Sequence, residues 1–451
     1  MGSRSLIHSD EIYWTLDITI LYIRDKLVIL LRKVAKLNID SNQKRTIISL
    51  LLGYAGYYFC RSNLSVSAPL LIKDFSSVGL DKVALGGIVS AGVLVYALGK
   101  ILNGIFGDFL GGKKTFILGM VGSIIATIFF GFSGGLTAFT TFWLINRYFQ
   151  SMGWSALVKT VGQLFDHLSY ARIMGILSLS FLFGDMIARY MFGWIISLGF
   201  GWREIFYFSS AVFSLIALFN VIFLPGSKAL NKKLTQHPKT LYRDTTAKVT
   251  FTRLLLPILK SRAFWIVAIM SVGLTVIRET FNFWIPTYLT EVVQYAPSDA
   301  AKFSLLFPFF GGISVICFGF FTDNRMKGLK SKVTMVSLLL LSVILFLLFG
   351  LNTDTPKYVH LMLISLAAFM IVGPYSFLAG AISLDIGGPK GSATVAGLID
   401  SAGYFGATYS GIGIAQIASS YGWNKVFLVL AIISLVTLVA TNVYKKVFEV
   451  T

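Results

Sequence analysis

Charged residues and cysteines are scarce in this chain of 451 residues. Only 13% of the residues are Asp, Glu, Lys or Arg, whereas 55% are hydrophobic, a balance that excludes an ordinary soluble domain. Both cysteines fall in apolar segments without metal-ligand spacing, so neither a disulfide nor a metal site is expected. No complete Gly-x-x-x-x-Gly-Lys-Ser/Thr nucleotide loop occurs, because Lys114 follows the one partial match at Gly107–Lys113, and no hydrolase or transferase constellation occurs. We therefore predict that the protein is not an enzyme and needs no cofactor.

Apolar windows of about 18 residues or more recur along the chain, which predicts membrane-spanning helices. The runs are continuous rather than alternating, which excludes a transmembrane β-barrel. We predict an all-α membrane protein with twelve transmembrane helices in two pseudo-symmetric six-helix bundles. The predicted spans are 46–72, 82–106, 114–133, 137–160, 171–197, 203–224, 262–290, 299–321, 332–350, 357–384, 391–417 and 423–444.

These spans divide the chain into four parts. The N-terminal bundle covers 46–225, a basic cytoplasmic linker 226–261 and the C-terminal bundle 262–446. Residues 1–45 form a cytoplasmic amphipathic segment, because apolar residues recur every three or four positions over 10–37, as in an interfacial helix. The alternative, a thirteenth span, would bury Arg24, Asp25 and Lys26 in hydrocarbon.

Basic residues outnumber acids, with a formal net charge of +19. They concentrate in alternate loops, whereas segments 133–136, 198–202 and 351–356 carry none. The positive-inside rule then places both termini in the cytoplasm, and it explains the charge without nucleic acid. We expect a monomer in a lipid bilayer, and a bacterial inner membrane is favoured over an organelle membrane because no sorting signal is recognisable.

Two arginines lie inside apolar runs. Arg61 is near the middle of 47–72 and Arg278 near the middle of 263–289, where insertion of each guanidinium costs at least ~2.5–3.5 kcal/mol. They are 217 positions apart (278 − 61), and Asp108 and Asp323 are 215 apart (323 − 108), which indicates an internal repeat. Repeat halves with a site on their interface are typical of secondary transporters, and two converging guanidinium groups suit phosphate or carboxylate. A purely structural ion pair is the alternative.

A glycine-rich turn with an acid and two lysines links spans two and three. Such a turn suits a contact between neighbouring helix ends. Its residues Gly104, Asp108, Gly111 and Lys113 resemble the signature loop of the major facilitator superfamily, although Phe109 stands where a basic residue is usual. Asp323 belongs to a weaker second copy.

The segment Tyr-Tyr-Phe-Cys-Arg-Ser-Asn-Leu at 57–64 resembles the first helix of the organophosphate:phosphate antiporter family, which includes glycerol-3-phosphate and hexose-phosphate transporters. Segments 95–100, 150–154, 284–289 and 403–406 are also similar, so the resemblance covers about residues 46–445. It implies that Arg61 and Arg278 bind phosphate with help from Lys100. It also implies alternating-access exchange of an organic phosphate ester, of the sugar phosphate or glycerol phosphate class, for inorganic phosphate.

Residues near these positions are further candidates. Tyr57, Tyr58 and Asn63 flank Arg61 and are expected to donate hydrogen bonds to ester oxygens, with plain packing as the alternative. Lys100 lies two turns from Asp108 and could reach a central anion, unless it snorkels to the interface.

Five more charged residues lie inside the predicted spans, namely Arg147, Asp185, Arg189, Glu279 and Asp400, and Arg147 and Asp185 are at similar depth. Asp185 and Arg189 are predicted to pair as i,i+4 neighbours, Arg147 is a plausible partner of Asp185, and Glu279 is expected on a different helix face from Arg278. These residues either neutralise one another or shape a pocket for a larger or more polar substrate, with Arg147 among the substrate-binding candidates. The fifth span carries Asp185 and Arg189 instead of the histidine of the glycerol-3-phosphate carriers.

Two rival functions remain open at this stage. One is a proton-coupled symporter of another organic anion, in which Glu279, Asp185 or Asp400 carries the proton. The other is a transporter-like sensor of sugar phosphates that signals through residues 10–37 or the central loop.

Overall fold

The computed structural model describes residues 40–165, 167–225, 257–319, 329–378 and 382–449. The amphipathic helix predicted over 10–37, most of the linker and Asp323 lie outside these residues. The helices of the described part, numbered in chain order, are α1 Ser41–Phe75, α2 Lys82–Leu110, α3 Gly112–Phe132, α4 Leu136–Gln150, α5 Met152–Leu164, α6 His167–Ser197, α7 Trp202–Phe223, α8 Arg262–Glu291, α9 Pro297–Phe303, α10 Leu306–Gly319, α11 Leu329–Phe349, α12 Lys357–Phe377, α13 Ser383–Ala407 and α14 Ile412–Tyr444.

Helix α1 begins at a capping box, five residues before the predicted start of the first span. The Asp40 side chain accepts a hydrogen bond from Gln43 N at 2.8 Å, and the Gln43 side chain accepts one from Asp40 N at 3.1 Å. The two exposed N–H groups of the first turn are thereby satisfied, and the 35-residue helix continues through Pro69 to Phe75.

Within the described residues, nine segments are long and apolar enough to cross a membrane. They are Lys82–Asn103, Gly112–Phe132, Ile173–Ser197, Trp202–Phe223, Arg262–Glu291, Pro297–Gly319, Lys330–Phe349, Lys357–Phe377 and Thr394–Phe448. The last is 55 residues long and covers most of the predicted span 391–417 and all of 423–444. The two are separated at Gly422, whose φ of 80° and ψ of 167° break α14 into arms 412–421 and 423–444. The predicted first and fourth spans are not among the nine: Arg61 lies within α1, and the fourth is divided at Ser151 into α4 and α5.

The helices pack as two sets. In the first, α1 contacts α6 and α7, and α3 contacts α4 and α7; in the second, α8 contacts α13 and α14, α10 contacts α12, and α11 contacts α14. The sets are joined chiefly by α1 with α8, by α2 with α13 and α14, and by α6 with α9 and α10. A cleft lies between the two sets. Helices α1, α2 and α6 form one of its walls, and α8, α13 and α10 form the other.

One end of this cleft, which we call the closed end, is held by contacts between the sets. Gly86 on α2 lies so close to Gly411 that a Cβ on Gly86 would be 2.8 Å from the Gly411 carbonyl oxygen. Lys82 Nζ pairs with Glu291 Oε2 at 2.6 Å, and Trp423 Nε1 donates to the same oxygen at 2.7 Å. Among the side chains that the structure describes, no hydrogen bond or ion pair joins the two sets on the far side of Lys100 and Asp400.

Candidate functional site

The two predicted arginines meet around one oxygen atom at the interface of the helix sets. Helix α1 presents Arg61, α8 presents Arg278, and α13 places Tyr404 between them. The Tyr404 hydroxyl accepts hydrogen bonds from Arg61 Nη2 at 3.4 Å and from Arg278 Nη2 at 3.1 Å. Nε of Arg278 is buried without a hydrogen-bond partner in the described part of the chain. Donors from both sets therefore point at a position that an anionic oxygen could occupy.

Glu279, which was predicted on a different helix face from Arg278, contacts that arginine directly. Its Oε1 accepts from Arg278 Nη2 at 2.6 Å. Adjacent helical positions differ by about 100° in direction, but both side chains are long enough to curl toward the same cleft. The Arg278 guanidinium also lies 4.1 Å from the centre of the Tyr375 ring.

Lys100 forms an ion pair with Asp400 between α2 and α13, so it joins the two helix sets instead of snorkelling. Asp400 also accepts a hydrogen bond from the Tyr375 hydroxyl at 2.9 Å, and Lys100 Nζ lies 4.4 Å from the centre of the Tyr404 ring. The side chains are 16% and 22% exposed, which leaves this pair partly open to solvent.

The predicted pair of Asp185 and Arg189 on α6 is confirmed, with Nε and Oδ1 2.8 Å apart. The Ser62 hydroxyl donates to the same carboxylate oxygen. Arg189 reaches the second helix set as well, because Nη2 donates to the Asn282 carbonyl oxygen at 2.7 Å and Nη1 to Ser304 Oγ at 3.2 Å. The pair thus also connects α6 to the opposite wall of the cleft.

Arg147 is only 3% exposed, and its predicted pairing with Asp185 does not occur. No carboxylate of the described residues lies within ion-pair distance of it, because Asp185 is held by Arg189 and Ser62. Its Nη1 donates to Gln150 Oε1 at 3.3 Å, and its guanidinium carbon lies 4.6 Å from the centre of the Tyr96 ring.

Of the three residues predicted to flank Arg61, only Tyr58 lies at the site. Its hydroxyl accepts from Arg61 Nη1 at 3.5 Å. Tyr57 is buried and donates to the Phe116 carbonyl oxygen at 2.8 Å, away from the cleft. Asn63 is fully buried, and its Oδ1 accepts from the backbone N–H of Leu64. The structure therefore does not bring Tyr57 or Asn63 to the site.

Two adjoining cavities, of about 390 and 480 Å³, occupy the cleft around Arg61. Both are lined by Tyr58, Arg61, Glu279 and Asn282. The first cavity is completed by Asp185, Arg278, Phe307, Pro308, Val372 and Tyr404, among others. The second cavity, nearer the closed end, is completed chiefly by Ser62, Ser65, Trp143, Arg147, Arg189 and Phe283.

The site carries more cations than acids. Three ion pairs, Arg278 with Glu279, Lys100 with Asp400 and Arg189 with Asp185, account for six of its charged side chains. Arg61 and Arg147 remain without a carboxylate partner among the described residues. A cleft with two uncompensated guanidinium groups favours anionic ligands. No group of three or more potential His, Cys, Asp or Glu metal ligands occurs in the part of the chain that was searched.

The glycine turn between α2 and α3 is described only in part. Gly111 has φ 81°, a conformation that glycine adopts without strain, and α3 begins directly after it. Lys113 Nζ donates to the carbonyl oxygens of Leu224 and, at 2.9 Å, Val221, which ties α3 to the end of α7. Gly104 and Asp108 belong to α2, but the side chains of 104–108 lie outside the description, so a contact made by Asp108 stays a prediction.

Sequence reasoning did not assign a role to several residues that meet at the site. Tyr96, Tyr375, Asn282 and Tyr404 were given none, although Tyr96 and Tyr404 lie in two of the quoted segments. Asn282 lies four positions after Arg278 and so on the same helix face. This spacing could have predicted that Asn282 lies near the site. The tyrosines gave no comparable signal, because buried tyrosines at helix interfaces are common.

The chain is similar over most of its length to known proteins. The profile of the Major Facilitator Superfamily matches residues 50–411. A probable hexose phosphate transport protein of Chlamydia trachomatis is 24% identical over 88% of this chain and 89% of its own. The glycerol-3-phosphate transporter of Bacillus subtilis is 25% identical over 86% and 88%, and a glucose-6-phosphate exchanger of Xenopus laevis is 27% identical over 81% of each chain.

Solved structures share the fold. A bacterial homologue of the human lysosomal transporter Spinster, in an inward-facing and occupied conformation, superposes with a TM-score of 0.71. It covers 91% of this chain and 98% of its own at 14% identity. A D-xylose–proton symporter gives a TM-score of 0.66 at 13% identity, with 89% and 97% covered. At these identities the likeness concerns the fold alone.

Proposed function

This chain belongs to the major facilitator superfamily, and we propose that it exchanges an organic phosphate ester for inorganic phosphate by alternating access. It is a membrane transporter rather than an enzyme. The ester is of the sugar phosphate or glycerol phosphate class, as the names of the similar transporters suggest. No cofactor is invoked.

The observation that carries this proposal is the Tyr404 hydroxyl between Arg61 and Arg278. Its oxygen accepts from one guanidinium of each helix set, at the place where a phosphate oxygen would accept from both. A phosphate offers several such oxygens, and guanidinium forks bind them bidentately, so the anion would bind more strongly than the neutral hydroxyl it replaces.

Exchange follows from charge if the two sets rock about this site. When the cleft closes over an empty site, Arg61 and Arg147 approach Arg278 without a compensating anion, which disfavours closure. Bound phosphate or ester relieves that repulsion and shifts the population toward the occluded state. The binding site then changes the side of the membrane to which it opens only when it is loaded, in both directions, and the result is exchange.

We also propose the finer architecture. Twelve spans result when α4 with α5, α9 with α10, and α13 with arm 412–421 are each counted as one, and arm 423–444 is the last. The bundles are 46–225 and 262–446, joined by the linker 226–261 and preceded by the cytoplasmic segment 1–45. Both termini are cytoplasmic, the closed end faces away from the cytoplasm, and the protein acts as a monomer in a bacterial inner membrane.

The proton-coupled alternative receives less support from the site. Glu279, Asp185 and Asp400 each accept a hydrogen bond from a cation of the same cleft. Each of these three acids is therefore already paired with a cation, and none of them is an unpaired carboxylate that would be ready to take up a proton with the substrate. The sensor alternative is favoured by no specific contact among the described residues.

Reconstituted vesicles separate these functions. Proteoliposomes loaded with unlabelled phosphate are expected to accumulate labelled phosphate, whereas empty vesicles are not. Uptake that instead follows a pH gradient into empty vesicles would contradict exchange and favour the symporter. Binding of an ester, without any flux in either arrangement, would favour the sensor.

A further inference from the structure

We propose that Arg147 recognises a second anionic group, so that the transporter prefers organic phosphates that carry a carboxylate or a second phosphate in addition to the first. This inference rests on the proposed function and narrows its substrate class. Among the described residues of the cleft, Arg147 is the cation that the fold buries almost completely without an acid.

The burial of Arg147 is unusual for a charged side chain. It is 3% exposed in the middle of the bundle, and its one side-chain hydrogen-bond acceptor in the described part of the chain is the neutral Gln150 amide. That amide is fixed in turn, because Gln150 Nε2 donates to the Cys60 carbonyl oxygen at 2.7 Å. A buried charge without a partner is strongly destabilising, and an ionisable residue inside a membrane marks a functional site by default.

The fold makes room for this arginine. Gly92 on α2 faces it, and a Cβ there would lie 3.1 Å from Arg147 Cγ and 2.5 Å from Trp143 Nε1. The indole N–H of Trp143 has no acceptor among the described residues either. The second cavity therefore has a wall on which two neighbouring donors, one of them charged, lack an anionic acceptor.

Arg147 and Arg278 line different cavities, and Arg61 lines both. The guanidinium carbons of Arg61 and Arg147 lie 4.8 Å and 4.6 Å from the centre of the Tyr96 ring. A phosphate between Arg61 and Arg278 would occupy the first cavity, where the Tyr404 hydroxyl now lies. The rest of the substrate would then extend past Tyr96 into the second cavity, toward Arg147.

The chemistry of that extension decides its affinity. A neutral sugar or glycerol body would leave Arg147 buried and unpaired, whereas a terminal carboxylate or phosphate would accept charge-assisted hydrogen bonds from it. Among the described residues that line the second cavity, the acid is Glu279. Its carboxylate is paired with Arg278 and forms no ion pair with Arg147. The site therefore favours substrates with negative groups at both ends.

The test compares matched probes that differ by one anionic group. Proteoliposomes exchange labelled phosphate in the presence of glycerol 3-phosphate or 3-phosphoglycerate, and of glucose 6-phosphate or glucose 1,6-bisphosphate. In the wild type we expect, for at least one pair, that the member with the additional anionic group reaches half-inhibition at a concentration at least about tenfold lower than the other member. This factor corresponds to the gain of one charge-assisted hydrogen bond. The pair that responds identifies the second group as a carboxylate or a phosphate.

The variant Arg147→Gln should abolish this preference, and Arg203→Gln, outside both cavities, should keep it. Equal inhibition by both members of each pair in the wild type would overturn the proposal. So would an equal loss of phosphate exchange and of every probe in Arg147→Gln, because Arg147 would then share the first phosphate. Size-exclusion profiles establish that each variant is folded.

Failure of the proposed function is distinguishable from failure of this inference. If folded wild-type protein exchanges no phosphate, the exchange proposal falls. The same four probes can then be compared by the thermal stabilisation they give to detergent-purified protein, since a ligand stabilises according to its affinity for the native state. Stronger stabilisation by the probes with the additional anionic group, lost in Arg147→Gln, would still support the inference. Equal stabilisation by both members of each pair would contradict it.

Discussion

At Arg61 the neighbouring groups are aromatic or hydroxylic rather than acidic. The guanidinium carbon lies 5.2 Å from the centre of the Tyr58 ring and 4.8 Å from that of Tyr96, and Nη2 donates to the Tyr404 hydroxyl. Such contacts contribute about 0.5–2 kcal/mol each to a desolvated cation without neutralising its charge. Arg61 is thus held in place and remains available to an anion, unlike Arg278, which Glu279 partly neutralises.

Arg61→Lys tests whether the planar fork matters. Lysine keeps the charge but cannot donate two parallel hydrogen bonds, so labelled-phosphate exchange should fall by at least about tenfold. Arg203→Lys, which lies at the end of the bundle against Trp202, should leave exchange unchanged. Exchange by inserted Arg61→Lys protein at the wild-type rate would show that the charge alone suffices.

Single residues differ in how well their position could be predicted from the sequence. Arg61 and Arg278 were found because a guanidinium in an apolar run is costly and must meet a polar cavity. Which of Tyr57 and Tyr58 faces that cavity depends on the rotation of α1, and both neighbours looked equivalent. Arg147 was placed at the right depth, but its partner was predicted wrongly, because the sequence does not show that Asp185 is already held from two sides.

At the scale of helices, Lys100 and Asp400 place a competing anion beside the proposed phosphate site. The pair joins α2 to α13, and Lys100 also lies against Tyr404, the residue that bridges the two arginines. A substrate phosphate that recruits Lys100 must therefore draw it away from Asp400.

Asp400→Asn should increase the apparent affinity for phosphate. With the carboxylate gone, Lys100 is free to contact the anion, and half-saturation should occur at a concentration about threefold to tenfold lower, a range reduced because the pair is partly solvent-exposed. Tyr375→Phe, which removes only a hydrogen bond to Asp400, should have a smaller effect. Half-saturation that is unchanged or higher in Asp400→Asn would argue that Lys100 does not contact phosphate.

The closed end depends on backbone contact between α2 and the turn before α14. Gly86→Ala would insert a methyl group 2.8 Å from the Gly411 carbonyl oxygen, and overpacking of this kind costs about 1–3 kcal/mol. The variant should shift the population away from this conformation. Gly87→Ala is the matched control, since its Cβ would make only an ordinary contact, 3.9 Å from Ile412 Cδ1.

Spin labels at positions 78 and 358, in a background without Cys60 and Cys317, measure that shift. Both positions are exposed, one in each helix set, so their separation follows the movement between the sets. Gly86→Ala should lengthen the distance distribution, and Gly87→Ala should not. Identical distributions in the two variants would mean that this contact does not hold the closed end.

Helix boundaries were predictable where hydropathy ends sharply and less so elsewhere. The predicted sixth span, 203–224, agrees closely with α7. The break between the last two spans was also placed correctly, because Gly422 adopts a positive φ between two apolar runs. Helix α1 extends beyond both ends of its predicted span, since the capping box and the polar last turn add residues that hydropathy does not detect.

For the whole molecule, the sequence indicated two repeated halves with a cationic cleft between them, and the chain has the fold of the major facilitator superfamily. The sequence supplied one pair of the cleft, Asp185 with Arg189, but not the other two. Among the described residues of the cleft, three acids and five cations allow many arrangements, and the packing of the helices selects the three ion pairs that form. The excess of two guanidinium groups follows from that selection.

The most direct measurement is counterflow of labelled phosphate into phosphate-loaded proteoliposomes by the wild type, Arg278→Ala and the control Arg203→Gln. We predict accumulation by the wild type and by Arg203→Gln, little above protein-free vesicles for Arg278→Ala, and none by the wild type in empty vesicles. Accumulation by Arg278→Ala equal to that of the wild type, with both proteins folded and inserted, would contradict a phosphate site shared by the two halves.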